Sequence, residues 1–108
     1  MIEAELIPIV AERFKALSDP GRLALLTALF GRESSVGELA EVTGRRQPNV
    51  SQMLARLAQA RLVAARREGN RVLYRIADPH LEKICESVCR SVAPESPRTT
   101  RGKRRSRA

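Results

Sequence analysis

The stretch GRRQPNVSQMLARL, residues 44–57, contains a glycine, paired arginines, a proline and two interleaved sets of side chains. One set is apolar and follows the i, i+3, i+4, i+7, i+8 spacing of a helix that buries one face, and it comprises Val50, Met53, Leu54, Leu57 and Ala58. The other set is polar and comprises Asn49, Gln52, Arg56 and Gln59. The stretch therefore predicts a helix that packs on a core and turns a polar face to solvent.

The residues just before this helix predict a second helix and a tight turn. In SVGE, residues 35–38, the hydroxyl of Ser35 and the carboxylate of Glu38 are spaced for a capping box. Gly44 suits the left-handed position that ends a helix, and Pro48 is tolerated in the first turn of the next one. Two short helices joined by such a turn form a helix-turn-helix.

Two more helices are predicted towards the N-terminus. Leu6, Val10, Phe14 and Leu17 recur at helical spacing and predict a helix with one buried stripe, starting near Pro8. In SDPGR, Asp19 is a candidate N-cap and Pro20 fits the first helical position. The second helix then carries Leu23, Leu26 and Leu29 and ends near Gly31.

After Arg61 the hydrophobic pattern alternates. LVAARREGNRVLYRI, residues 62–76, predicts a β-hairpin with Gly69 and Asn70 at positive φ in the turn, which is the wing of a winged helix-turn-helix. Asp78 and Pro79 repeat the cap-plus-proline pattern, and they precede a fifth helix with the stripe Leu81, Ile84, Cys85, Val88 and Val92. We predict a mainly α domain at residues 1–93 and a disordered basic tail at 94–108.

The positive charge is concentrated in one segment and the tail. Residues 1–44 hold four basic and seven acidic residues, whereas residues 45–75 hold eight arginines and one glutamate. Residues 76–93 have a net charge of −1 and the tail has +5, and the whole chain has +8. Such a distribution predicts a surface that meets a polyanion, with nucleic acid favoured.

Composition limits the functional classes. A chain of 108 residues forms one domain, whose thin core would benefit from a partner subunit. No apolar run approaches the roughly 20 residues of a membrane span, and the acidic N-terminus is unlike a secretion signal, so we expect a cytoplasmic protein with no membrane contact. With one histidine, no paired carboxylates and no phosphate-binding glycine loop, we expect no enzyme activity.

In this order, the segments resemble the ArsR family of bacterial winged helix-turn-helix repressors. The matching segments are FKALSDPGRLALLTAL, SVGELAEVTG, QPNVSQMLARLAQARLV and RREGNRVLYRI, which together span roughly residues 10–80. The resemblance implies a homodimer, built from the first and fifth helices, that sits on an inverted-repeat operator and blocks transcription until an inducer changes its shape. The two apolar stripes agree with this, because they exceed what so small a core can cover.

The fourth helix is the candidate for base contacts in the major groove, where amides and hydroxyls pair with base edges. The predicted base contacts are Gln47, Asn49, Ser51 and Gln52. The predicted DNA-backbone contacts are Arg45, Arg46, Arg56, Arg66, Arg67 and Arg71, the last three in the wing. Arg61 and Arg75 have the alternative of pairing with a carboxylate on the body. The chain departs from the family at Arg46, where a capping serine is common, and at Met53, where a histidine is common.

Cys85 and Cys89 lie one turn apart on the fifth helix and are candidate sensor thiols. One chain offers two thiolates where a closed zinc site needs four ligands, so a metal site is expected only across a dimer. A soft metal or metalloid, or a reactive sulfur species or oxidant, is the candidate inducer, and no cofactor is required. The alternative is that both cysteines are ordinary helix residues. The family's arsenic site before the turn is missing, since residues 34–42 contain no cysteine, and its zinc-site partner positions hold Ser91 and Pro94.

The sequence thus predicts a sequence-specific, autoregulatory transcriptional repressor. Two alternatives stay open: a repressor of the same fold without a small-molecule inducer, and a nonspecific nucleic-acid-binding protein driven by the basic tail.

Overall fold

The computed structural model describes residues 2–93, and within them it has five α-helices and one three-stranded sheet. A 3-10 turn, Ala4–Leu6, leads into the helices α1 (Ile7–Leu17), α2 (Pro20–Leu29), α3 (Val36–Thr43), α4 (Gln47–Gln59) and α5 (Leu81–Val92). The strands are β1 (Ser34–Ser35), β2 (Val63–Glu68) and β3 (Arg71–Ile76). The winged helix-turn-helix prediction is confirmed, whereas the predicted tail of residues 94–108 lies outside the described residues.

The helix ends follow the capping residues. The side chain of Asp19 accepts a hydrogen bond from the backbone N–H of Arg22 at 3.0 Å, which caps α2. The Ser35–Glu38 capping box is complete, with distances of 3.1 and 2.9 Å, and Gly44 ends α3 with φ of 71°. These three signals were predicted correctly because each depends on residues only a few positions apart.

The start of α5 was predicted wrongly. The helix begins at Leu81 with His80 at the cap position, and no side chain caps it. The Asp78 carboxylate instead accepts from the backbone N–H of His80 at 2.9 Å and from Arg13 on α1 at 3.0 Å. Asp78 therefore ties the segment before α5 to α1 rather than capping the helix.

The sheet is antiparallel in the order β1-β3-β2. The short strand β1 was not predicted, because it depends on pairing Ser34 with Tyr74, forty residues along the chain. At the hairpin tip only Gly69 has positive φ, 64°, so the expectation of positive φ at Asn70 was wrong. A positive φ at the first turn position alone is the pattern of a type II′ turn.

The core is aliphatic and lies between α2, α3, α4 and the base of the sheet. Its fully buried side chains are Leu25, Leu26, Leu29, Leu39, Val50, Leu54, Leu57, Leu62 and Leu81. Most of the stripe predicted as buried on α1 is not buried within the protomer: Leu6 and Phe14 are exposed, and Ala16 alone is buried. Among residues 2–93 no helix is long and apolar enough to span a membrane.

Candidate nucleic-acid interface

The helix-turn-helix is held by a tight turn between α3 and α4. Gly44 adopts the left-handed conformation, and the backbone N–H of Arg45 donates to the carbonyl of Ala40 at 3.1 Å. Arg46 then occupies the cap position of α4 without a side-chain cap bond, and Pro48 stands in the first turn as expected. The turn thus places the N-terminal end of α4 at the surface with two arginines beside it.

The packing of α4 turns its polar residues outward. Val50, Leu54 and Leu57 are completely buried, while Met53 packs partly against the same core. The candidate base-contacting residues are all exposed, and none forms a side-chain hydrogen bond with residues 2–93: Gln47, Asn49, Ser51 and Gln52. Ala58, predicted on the apolar face, is exposed. The helix therefore offers free amides and a hydroxyl on a rigidly anchored element.

Gly21 was not singled out from the sequence, where the DPG signal indicated only a cap. It is buried at the N-terminal end of α2, against α4. A Cβ atom there would lie 2.9 Å from the sulfur of Met53 and 3.3 Å from Nη1 of Arg45. Gly21 thus permits the close approach that seats α4 on α2.

The candidate DNA-backbone arginines divide into two groups. Arg45, Arg46 and Arg67 are exposed and make no ion pair with any residue of the described range. The other three are held by carboxylates of the N-terminal segment, in the pairs Arg56–Glu12 at 2.7 Å, Arg66–Glu33 at 2.7 Å and Arg71–Glu38 at 3.3 Å. Arg61 and Arg75, for which we considered an ion pair instead, have none with residues 2–93.

Arg56 is the most enclosed of the paired arginines. Its side chain is 25% exposed, and its Nη1 atom is buried without a hydrogen-bond partner among the described residues. The ion pair to Glu12 joins the middle of α4 to α1. A phosphate contact by Arg56 remains a prediction, and it would require the guanidinium to be shared with Glu12.

The two cysteines share one apolar cavity. A cavity of about 320 Å³ lies between α1, α2 and α5, and its lining includes Phe14, Leu23, Val88 and both thiols. Cys85 is half-buried and Cys89 is exposed. Burial raises the pKa of the Cys85 thiol, and the adjacent Cys89 raises it further, so Cys85 is a protonated thiol at neutral pH. Within residues 2–93 no cluster of three or more His, Cys, Asp or Glu side chains forms a metal-binding group.

The chain is similar in sequence to known bacterial regulators. Residues 19–65 match the family model described as bacterial regulatory protein, arsR family. The HTH-type transcriptional regulator KmtR of Mycobacterium tuberculosis is 45% identical over 76 residues, which cover 70% of this chain and 58% of KmtR. The regulator Rv0081 of the same organism is 42% identical over 88 residues, covering 81% of this chain and 76% of that protein.

Solved structures have the same architecture. The crystal structure of M. tuberculosis Rv0081 superposes with a TM-score of 0.75 at 38% identity and covers 86% of this chain and 93% of that one. The solution structure of the homodimeric winged helix-turn-helix DNA-binding domain Mb0332 from Mycobacterium bovis gives a TM-score of 0.77 at 33% identity. That match covers 89% of this chain and 92% of the Mb0332 domain.

Proposed function

The chain belongs to the ArsR family of bacterial regulatory proteins, and on this premise we propose that it is a homodimeric repressor that binds a specific double-stranded operator. The observation that carries the proposal is the seating of α4. Three aliphatic side chains of α4 are fully buried, and the polar residues between them face solvent. A helix of 13 residues, about 20 Å long, fits the major groove and presents its N-terminal half to base edges.

In this complex Gln47, Asn49, Ser51 and Gln52 contact bases. Arg45, Arg46 and Arg67 bind phosphates directly, because no carboxylate of the described residues holds them. Arg56, Arg66 and Arg71 reach the DNA backbone only by exchanging or sharing their present carboxylate partners. We also propose that the operator lies upstream of the protein's own gene, which would make the repressor autoregulatory.

Footprinting on the DNA upstream of this gene tests the proposal, with substitutions on α4 to assign the base contacts. Gln47→Ala should lower discrimination for the operator by about 1–3 kcal/mol, roughly 5- to 150-fold, because a good bidentate base contact contributes that much. Gln59→Ala is the matched control, since Gln59 is the same exposed residue type at the far end of α4. Equal losses in the two variants would refute the assignment of Gln47 to a base.

The dimer proposal rests on apolar side chains that the protomer leaves in solvent. Phe14 on α1 is 55% exposed, Val88 on α5 is 54% exposed, and α5 buries only Leu81. Pairing α1 and α5 across a two-fold axis would cover them, as the homodimeric relative from M. bovis supports. Two copies then present two α4 helices to an inverted repeat, with half-sites about 34–36 Å apart.

Light scattering tests the dimer. Val88→Glu should yield monomers at concentrations where the parent chain is dimeric, because a charge would be buried in an apolar interface. Val42→Glu is the control, since Val42 is 72% exposed on α3, which carries no part of the proposed interface. A dimer that survives Val88→Glu would place the interface elsewhere.

A response to a thiol-reactive inducer is supported by the shared cavity of Cys85 and Cys89. The cavity touches α1, α2 and α5, so a soft metal, metalloid, reactive sulfur species or oxidant bound there would act on the proposed dimer helices. A metal ion that needs four thiolates would require both protomers. The competing function, a repressor with no small-molecule inducer, is favoured if Cys85→Ser/Cys89→Ser leaves operator release by arsenite or hydrogen peroxide unchanged.

The nonspecific alternative is tested by deleting residues 94–108. A specific repressor keeps its preference for one operator after the deletion, although its overall affinity falls. Loss of all DNA binding in the shortened chain would favour a protein that coats nucleic acid through its tail.

A further inference from the structure

The pairing of the strands sorts the wing's arginines onto two faces of the sheet. Alternate residues of β3 share a face, so Arg71, Leu73 and Arg75 lie together. Arg66 pairs with Leu73 and therefore lies on that face too, whereas Arg67 pairs with Val72 and lies on the opposite face. The same register places Glu68 opposite Arg71. One face of the wing thus carries three arginines and its own carboxylate, and the other carries Arg67.

Glu33 holds Arg66 through two hydrogen bonds. Nε of Arg66 donates to Oε2 of Glu33 at 2.8 Å, and Nη2 donates to Oε1 at 2.7 Å. Nη2 also lies 3.6 Å from Glu68. The hydrogen bonds from Arg66 lower the pKa of the Glu33 carboxyl, so Glu33 is ionised at neutral pH. The donor pair most suited to a bidentate phosphate contact is already occupied by a carboxylate.

Glu38 connects the second wing arginine to the helix-turn-helix. Its Oε1 atom lies 3.3 Å from Nη2 of Arg71 and also accepts from the backbone N–H of Ser35 in the capping box of α3. Its Oε2 atom lies 3.7 Å from Arg32. Two carboxylates from the segment between α2 and α3 therefore engage two arginines of the wing. We call Glu33, Glu38, Arg66 and Arg71 the wing clasp.

We propose that the wing clasp restrains DNA binding, with Glu33 as a positioning residue that keeps Arg66 off the phosphate backbone. The proposal rests on the proposed operator-binding function. The pair is solvent-exposed, with side-chain exposures of 44% for Arg66 and 31% for Glu33, so a phosphate has direct access to compete for the guanidinium. While the clasp is closed, fewer phosphates are neutralised than the count of wing arginines suggests.

The salt dependence of operator binding tests the clasp. Glu33→Gln keeps the shape of the side chain and removes its charge, so Arg66 becomes free to bind a phosphate. Each phosphate gained steepens the slope of log affinity against log salt by about 0.9, or about 1.8 for a dimer. We expect Glu33→Gln to bind several-fold more tightly than the parent chain at low salt, measured by fluorescence anisotropy. Weaker binding with a shallower slope would overturn the proposal, because Glu33 would then be pre-organising Arg66 for DNA.

Two controls separate the clasp from a general effect of charge. Glu41→Gln removes the same charge from an exposed carboxylate on α3 that makes no ion pair with residues 2–93, and it should leave the slope unchanged. The second control repeats Glu33→Gln in an Arg66→Gln background, where its effect on the slope should disappear. An effect of equal size in Glu41→Gln, or one that persists without Arg66, would refute the clasp.

The outcomes also separate this proposal from the function on which it rests. If the parent chain shows no preference for any upstream DNA, operator binding and the clasp both fail. If the parent chain binds an operator specifically and Glu33→Gln binds with the same slope, the clasp alone fails. Circular dichroism of each variant confirms that the fold is kept.

Discussion

The N-terminal end of α4 and the wing both carry arginines, but only the wing's are substantially neutralised by the protein itself. Arg45 and Arg46, beside α4, have no carboxylate partner among residues 2–93, whereas Arg66 and Arg71 are held by Glu33 and Glu38. Along the chain the acidic segment 1–44 and the basic segment 45–75 look separate. Folding brings β1 beside β3 and so returns acidic residues to the wing. The charge available to a ligand therefore differs from the charge counted along the sequence.

The largest effect is expected from removing an anchor of α4. Leu54 is fully buried, so Leu54→Ala should lower the free energy of unfolding by about 2–5 kcal/mol through lost burial and a cavity. Leu23→Ala is the control, since Leu23 is 40% exposed on α2. Chemical denaturation measures both variants. Similar losses would mean that Leu54 does not anchor the helix in the way its burial indicates.

The two arginine groups should differ in salt dependence. Arg45→Gln should make the slope of log affinity against log salt shallower by about 0.9 per protomer, because a phosphate contact is lost. Arg66→Gln should change the slope little, because Glu33 already holds this guanidinium. Anisotropy titrations at several salt concentrations make the comparison. Equal changes for the two arginines would show that the wing binds phosphate as freely as α4 does.

Both regions also depend on a left-handed glycine, Gly44 before α4 and Gly69 at the tip of the wing. Their φ angles are 71° and 64°, and replacing either glycine with alanine should cost about 1 kcal/mol of stability because of the Cβ atom. Gly37→Ala is the control, because Gly37 is helical and its nearest contact to an added Cβ is an ordinary 3.6 Å. That variant should be at least as stable as the parent chain in chemical denaturation.

The smallest effect is a pH dependence of the wing clasp. The pKa of Glu33 is lowered from its ordinary value of 4.5, chiefly by hydrogen bonds from Arg66. The ion pair therefore contributes its stability above that ordinary value and loses it as the pH falls through the lower, folded pKa. The difference in Tm between the parent chain and Glu33→Gln should be present at neutral pH and vanish in acid. A difference that stays constant across this range would contradict the ion pair as its source.

Sequence patterns predicted most of the architecture and the outward face of α4. The cap at Asp19, the capping box of Ser35 and Glu38, and the stop at Gly44 act over three or four residues, so they are visible in the sequence. The register of β3 was also implicit in its alternation. The exposed amides of α4 follow from the same logic, because a 3.6-residue period assigns each side chain to a face once the buried stripe is known.

What could not be predicted depends on residues distant in the chain. Strand β1 exists through its pairing with β3, and Arg66 meets Glu33 from 33 positions away. Asp78 was predicted as a cap from its neighbours, yet its partner is Arg13, 65 positions away. The place of Gly21 beneath Met53 is likewise invisible until α2 and α4 pack together.

Local periodicity and capping thus specify which helices and strands form and which face of each is polar, because those preferences act between near neighbours. Tertiary packing decides which arginines stay available for DNA, which apolar stripes remain for a partner subunit, and that both cysteines line one cavity. Coulombic and hydrogen-bonding partners are chosen by distance in space, and that distance is set only when the helices and the sheet close on the common core.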